Sequence, residues 1–228
     1  MEVASGKTGL VLAGGGARAA YQVGVLQALK EMLTDPVANP FPIIAGTSAG
    51  AVNAGALACH ADDFGKAVDN LLDVWCNFEP RHVYRADFAG VFANSSRWLV
   101  GLFFGAFLRD RRASLLDNRP LAALLERKLD FGRIAGNIAG GSLDAVSITC
   151  SGYTSGQSVS FFEGAAHLGA WKRSQRVGIR SRIQVEHLMA SSAIPFLFPA
   201  HKLNREFFGD GSMRQIAPVS AALHLGAE

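Results

Sequence analysis

Charged side chains are scarce: 18% of the 228 residues carry a charge, and the formal net charge is +3. So small an excess gives no argument for a nucleic-acid partner. Disorder is not expected either, because disordered chains are poor in apolar residues, whereas this one is 49% hydrophobic with a mean hydropathy of +0.19. Cysteine is nearly absent. Cys59, Cys76 and Cys150 are an odd set with no C-x-x-C pair, so reduced, mostly buried thiols in a cytoplasmic protein are expected rather than a disulfide framework. No apolar run approaches the roughly 18 residues of a membrane span. Residues 1–9 lack the charged-then-apolar layout of a secretory signal, so none is expected. Repeats, low-complexity tracts and linkers are missing too, which points to one domain over residues 1–228.

What is present alternates strand and helix. Residues 9–13 read as a short buried strand running into Gly14-Gly15-Gly16. From Arg18 to Leu33, Ala20, Val23, Leu26, Leu29 and Leu33 recur at roughly helical spacing. Ile43-Ile44-Ala45 forms a second strand, and the small residues 49–58 suit a tightly packed helix. Residues 62–77 and 116–129 read as helices, and residues 144–150 and 158–162 as strands. Residues 185–192 form a short helix, and 202–209 a hairpin around Asn204-Arg205 that delivers Asp210-Gly211. This order predicts a three-layer α/β/α sandwich with a mainly parallel central sheet. Residues 217–228 read as a helix with no strand after it, so a longer natural chain is expected.

Two glycine-rich turns carry the chemistry. In Gly46-x-Ser48-x-Gly50 a strand turns sharply into a helix and holds a serine at the tip, which requires small neighbours; here these are Gly46, Ala49 and Gly50. The positive helix end beneath Ser48 favours developing negative charge. In Gly14-Gly15-Gly16-Ala17-Arg18, consecutive glycines let backbone N–H groups face a cavity, as an oxyanion hole requires. The same stretch, as Gly14-x-Gly16-x-x-Ala19, also fits a dinucleotide fingerprint. That reading needs an acid at the end of the second strand, where Gly46-Thr47-Ser48 stands instead. Asp210-Gly211 at a strand end supplies a candidate base. None of the six histidines (His60, His82, His167, His187, His201 and His224) sits in a recognisable catalytic context, and only His224 follows Asp210. A Ser–His–Asp triad is therefore the weaker account.

An early strand entering Gly-Gly-Gly-x-Arg, then Gly-Thr-Ser-Ala-Gly, then a distant Asp-Gly, resembles the patatin-like phospholipase family. Residues 190–199, with Ala190, Ser191, Pro195 and Pro199, resemble the segment before the family's Asp-Gly. The likeness spans residues 10–218. It implies a Ser–Asp dyad, with Ser48 as nucleophile and Asp210 as base, and an oxyanion hole from the Gly14, Gly15 and Gly16 backbone. Arg18 and Gly211 complete the motifs. The resemblance implies cleavage of acyl esters in phospholipids or other lipids through an acyl-Ser48 intermediate, with no metal or cofactor. Ala19 and Ser212 depart from the family's usual glycine and glycine-or-alanine.

Residues 98–108, from Trp98 through Leu108, are the greasiest stretch, with Phe103, Phe104 and Phe107, and are followed by Arg109, Arg111 and Arg112. Two readings stay open for them: peripheral insertion at a phospholipid interface, or burial in the core. Lys172, Arg173, Arg176, Arg180 and Arg182 read as a solvated basic face. The expectation is a lipid acyl hydrolase. The alternatives are a dinucleotide-binding oxidoreductase and a non-catalytic lipid-binding member of the same fold.

Overall fold

Apolar side chains divide between the two faces of one sheet. In the computed structural model, which describes residues 6–77, 79–84, 114 and 116–228, β1 (Gly9–Leu12), β2 (Ile43–Thr47) and β3 (Ala145–Gly152) lie side by side and parallel. Leu12, Ile44, Val146 and Ile148 enter one core, while Ile43, Ala45 and Ala145 enter the other. This is the period-2 alternation of a strand covered on both sides.

The larger core takes α1 (Ala19–Met32), α2 (Ala49–Cys59), α3 (Phe64–Cys76), α4 (Arg119–Lys128), α5 (Gly132–Ala139) and α6 (Val185–Ser191). Among the described helices the smaller core takes α7 (Val219–His224), through Ala221 and Ala222. The three layers are therefore uneven. Local chemistry marks the helix starts: the Asp63 carboxylate accepts from the Lys66 N–H at 2.9 Å before α3, and Pro120 lies in the first turn of α4.

The sheet is mixed. Beyond β3 come β4 (Ser158–Gly164), β6 (Arg176–Arg180) and β5 (Trp171–Lys172), in that spatial order. Lys172, Arg176 and Arg180 are exposed, in line with the solvated face expected of them, and lie in β5 and β6, two strands the sequence reading did not single out. Strands so short, and so rich in exposed cations at the sheet edge, carry little apolar periodicity. The expected hairpin forms from β7 (His201–Leu203) and β8 (Glu206–Asp210), with Asn204 at φ 55° in the turn. After α7 the chain leaves its helix, and Ala227 bridges in parallel to Lys7. Residues 98–108, with Arg109, Arg111 and Arg112, lie outside the described residues. Among the described residues no helix is long and apolar enough to cross a membrane.

Candidate active site

Two strands meet end to end on one edge of β3. β2 pairs with it in parallel up to Thr47 opposite Thr149; β8 arrives antiparallel and ends with Asp210 opposite Cys150. Cys150 also pairs with Val159 of β4 on the other side, so β8 continues the edge that β2 occupies. The chain leaving β2 is Ser48 and the chain leaving β8 is Gly211. The register thus brings together residues 162 positions apart: Ser48 Oγ donates to Asp210 Oδ2 at 2.6 Å, with Ser48 6% exposed and Asp210 4%.

Ser48 is held at φ 54°, ψ −130°, which side chains rarely adopt. Such strain persists only where the surroundings over-determine it. Here α2 packs against β2 and the end of β1 so closely that side chains are excluded. A Cβ on Gly46 would stand 2.5 Å from the Gly50 carbonyl oxygen and 2.7 Å from the Ala54 Cβ, and one on Gly50 would overlap the Leu12 carbonyl oxygen. The Ser48 N–H donates to Ser191 Oγ at 2.9 Å, and Ser191 Oγ donates to the Thr149 carbonyl at 2.6 Å. Ser191, fully buried, therefore ties the elbow to β3. Sequence reading noticed its segment but not this bond, because the partners are 143 positions apart.

Asp210 is held as firmly. Its Oδ1 accepts from the Ser212 N–H at 2.8 Å, and its own N–H donates to the Ala193 carbonyl at 2.8 Å. One carboxylate oxygen is thereby fixed by backbone while the other faces the serine. Among the described residues no histidine is bonded to either group. His187 is buried behind the site; its Nδ1 accepts from the Gln184 N–H at 3.1 Å, and burial lowers its pKa. His224 stacks on Trp171 against the smaller core. Burial pushes the Cys59 thiol up to about 12 and the Cys150 thiol upward as well, so neither competes as a nucleophile.

The Gly14–Gly16 loop stands beside the serine: a Cβ on Gly14 would lie 3.1 Å from the Ser48 Cβ and would overlap Ser212 Oγ. One expected donor is corrected here. The Gly14 N–H is bonded to the Ile216 carbonyl at 3.1 Å, so it is not free to receive an oxyanion. The Gly15 and Gly16 amides make no bond to a described residue. At the start of α2 the Ala49 amide comes before any intrahelical acceptor, whereas the Ala51 N–H already donates to the Ser48 carbonyl at 2.9 Å. Arg18 is exposed and ion-paired to no described residue. Ser212 Oγ is buried without a hydrogen-bond partner among them.

A cavity of about 510 Å³ runs from Ser48, Ala49 and Gly16 between α2, α3 and α4. Val52, Leu71, Trp75, Leu121 and Leu125 wall it, and Lys128 is the charged residue among those lining it. Its size suits a small-molecule site, which runs to about 300–1,000 Å³, and its lining suits a hydrocarbon chain. A strained serine bonded to a buried carboxylate, backbone amides without partners among the described residues, and an apolar chamber form an arrangement that can support acyl transfer.

The model of the patatin-like phospholipase family matches residues 10–223. The chain belongs to the patatin-like phospholipase family. It is 26% identical over 215 residues to a cGAMP-activated phospholipase of Pseudomonas aeruginosa (strain BWHPSA011 / Pa011), a match covering 94% of this chain and 55% of the relative. The chain thus spans about half the length of the curated relative it matches. Among solved structures it is similar to VipD from Legionella pneumophila, with a TM-score of 0.48 and 17% identity over 91% of this chain and 46% of that one.

Proposed function

We propose that the chain is a serine lipid acyl hydrolase of the phospholipase A or lysophospholipase type, working as one unit over residues 1–228. The observation that carries this reading is the 2.6 Å bond from Ser48 Oγ to Asp210 Oδ2 at the mouth of an apolar cavity. Asp210 takes the Ser48 proton as Oγ attacks the ester carbonyl carbon. The carbonyl oxygen becomes an oxyanion, and the Gly15, Gly16 and Ala49 amides are the donors available to it. Collapse of the tetrahedral intermediate breaks the bond to the leaving alcohol, which receives the proton from Asp210. Water then attacks the acyl-Ser48 ester, giving its proton to Asp210, and the fatty acid leaves as Ser48 is restored.

The dinucleotide reading lacks the acid it needs, because β2 ends at Thr47 and runs into Ser48, and the cavity beside the glycines is apolar. The non-catalytic reading leaves a strained, hydrogen-bonded serine without a purpose. A fluorophosphonate probe tests both. Labelling of the wild type that disappears in Ser48→Ala, together with fatty-acid release from phospholipid, is the expected result. Lipid binding without labelling or turnover would overturn the proposal.

A further inference from the structure

Gly15 and Gly16 are exposed, and on either side of them the Gly14 and Arg18 amides are bonded, to the Ile216 and Gly15 carbonyls. The two flanks of the Gly14–Gly16 loop, however, are reached from beneath by a chain of side-chain amides, with Asn53 buried and Gln22 half-buried. Gln22, on α1, donates from Nε2 to the carbonyl of Ala13, the residue before the loop, at 2.7 Å. Asn53, on α2 and 0% exposed, donates from Nδ2 to the carbonyl of Ala19, the residue after Arg18, at 3.2 Å. The same Nδ2 donates to Gln22 Oε1 at 3.1 Å. Asn53 Oδ1 accepts from Trp75 Nε1 at 2.9 Å, and Trp75 is a wall of the cavity.

The direction of every bond in this chain is forced. An indole N–H can only donate, so it must face the oxygen of Asn53. That turns the Asn53 NH₂ toward Ala19 and Gln22, where both partners are acceptors. Gln22 must then present its own oxygen to Asn53 and its NH₂ to Ala13, whose carbonyl can only accept. Both ends of the chain demand the same orientation, so no amide can flip without leaving a buried group unpaired.

We propose that Trp75, Asn53 and Gln22 are a positioning relay that holds both ends of the Gly14–Gly16 loop and so aims the Gly15 and Gly16 donors. The inference rests on the acyl-hydrolase reading, in which those donors meet the oxyanion. None of the three touches the reacting atoms. Their effect is therefore on kcat, through donor placement, rather than on substrate affinity. The relay also begins at the wall that meets the acyl chain, so the chamber and the loop are set by one network.

The test uses the whole chain and a soluble short-chain p-nitrophenyl ester, with wild type and Ser48→Ala as references. Gln22→Met keeps the side chain's length but removes both polar ends. It should lower kcat by between about tenfold and 10²-fold, the loss expected of a misplaced donor, with KM changed by no more than about twofold. Gln22→Glu presents an oxygen to Ala13 when ionised and an O–H donor when protonated. Its kcat relative to wild type at the same pH should recover as pH falls toward about 4.3. Trp75→Phe keeps an aromatic wall but removes the donor, entering the relay from its far end, and it keeps the test open if Gln22→Met does not fold. It should lower kcat likewise, and combining it with Gln22→Glu at neutral pH should cost little more than the worse single change. Folded variants with wild-type kcat, or a Gln22→Glu ratio flat with pH, would overturn the relay and leave the acyl-hydrolase reading intact. Wild-type turnover that does not depend on Ser48 would sink both.

Discussion

Ser48 and the Gly14–Gly16 loop face one another across the site, yet they are held by different means. The serine turn is buried, and its shape follows from contact: Gly46 and Gly50 let α2 approach β2 and β1, and no larger side chain fits. Gly15 and Gly16 of the loop are exposed, and directed hydrogen bonds tie its flanks, among them Gly14 to Ile216 and Gln22 to Ala13. On the proposed reading, packing fixes the group that must not move before reaction. Hydrogen bonds hold donors that must remain open to an incoming oxygen. Damage to the first region should therefore appear in stability and activity together, and damage to the second mainly in activity.

The largest effect is expected at the serine turn. Gly46→Val forces branched carbons against the Gly50 carbonyl and Ala54. Urea unfolding should show a loss of about 3 kcal/mol, and activity should vanish with it. Next comes Ser191→Ala, which removes the acceptor of the Ser48 N–H. An unsatisfied buried amide costs about 1–3 kcal/mol, so both the melting temperature and kcat should fall. The loop should behave otherwise. Gly16 sits at φ 56°, and Gly16→Val strains that position by about 1–2 kcal/mol, while kcat should fall further than this modest loss of stability accounts for. Gly15 has an extended φ of 170°, and a Cβ there would meet the Arg18 Cβ at an ordinary 3.4 Å. Gly15→Ala should thus leave kcat nearly unchanged. If Gly46→Val and Gly16→Val lower stability equally, the contrast between the regions fails.

Two smaller effects sharpen the picture. His187 is buried, and its pKa is lowered from the usual 6.5 by desolvation. Below about pH 6.5 the unfolded chain binds a proton that the folded chain resists, so stability should decline as pH falls. His187→Gln should flatten that part of the melting-temperature profile. The smallest change is expected for Ser212→Ala, which removes a buried hydroxyl without a hydrogen-bond partner among the described residues. Stability should shift by no more than about 0.5 kcal/mol in either direction, read by urea unfolding.

The parts legible in the sequence are those set by local sterics. Small residues around Ser48 announce a sharp turn, and Ile43-Ile44-Ala45 announces a covered strand, because the cause and its effect lie within a few positions. Long-range pairing is another matter. That Asp210 meets Ser48 depends on β8 completing the edge where β2 stops, and residue types alone do not encode that register; the family resemblance supplied the pair instead. The Gly14 amide looked free because its partner, Ile216, lies at the far end of the chain. Asn53 and Gln22 were passed over, and the bond made by Ser191 was missed, for the same reason, since an amide or hydroxyl has no signature until its partners are in place. The edge strand β5 and its neighbour β6 escaped notice because two to five residues rich in exposed arginine and lysine carry no periodic signal.

The central claim is that Ser48 and Asp210 act as one unit, and a double-mutant cycle on fatty-acid release from phospholipid tests it most directly. Asp210→Asn keeps the side chain's shape and an oxygen for the Ser212 N–H while removing the charge that accepts the serine proton. Ser48→Ala and Asp210→Asn should each lower kcat by on the order of 10³-fold or more, and the double variant should lose no more than the worse single one. Near-normal turnover in a folded Asp210→Asn protein, or losses that multiply in the double variant, would contradict the account.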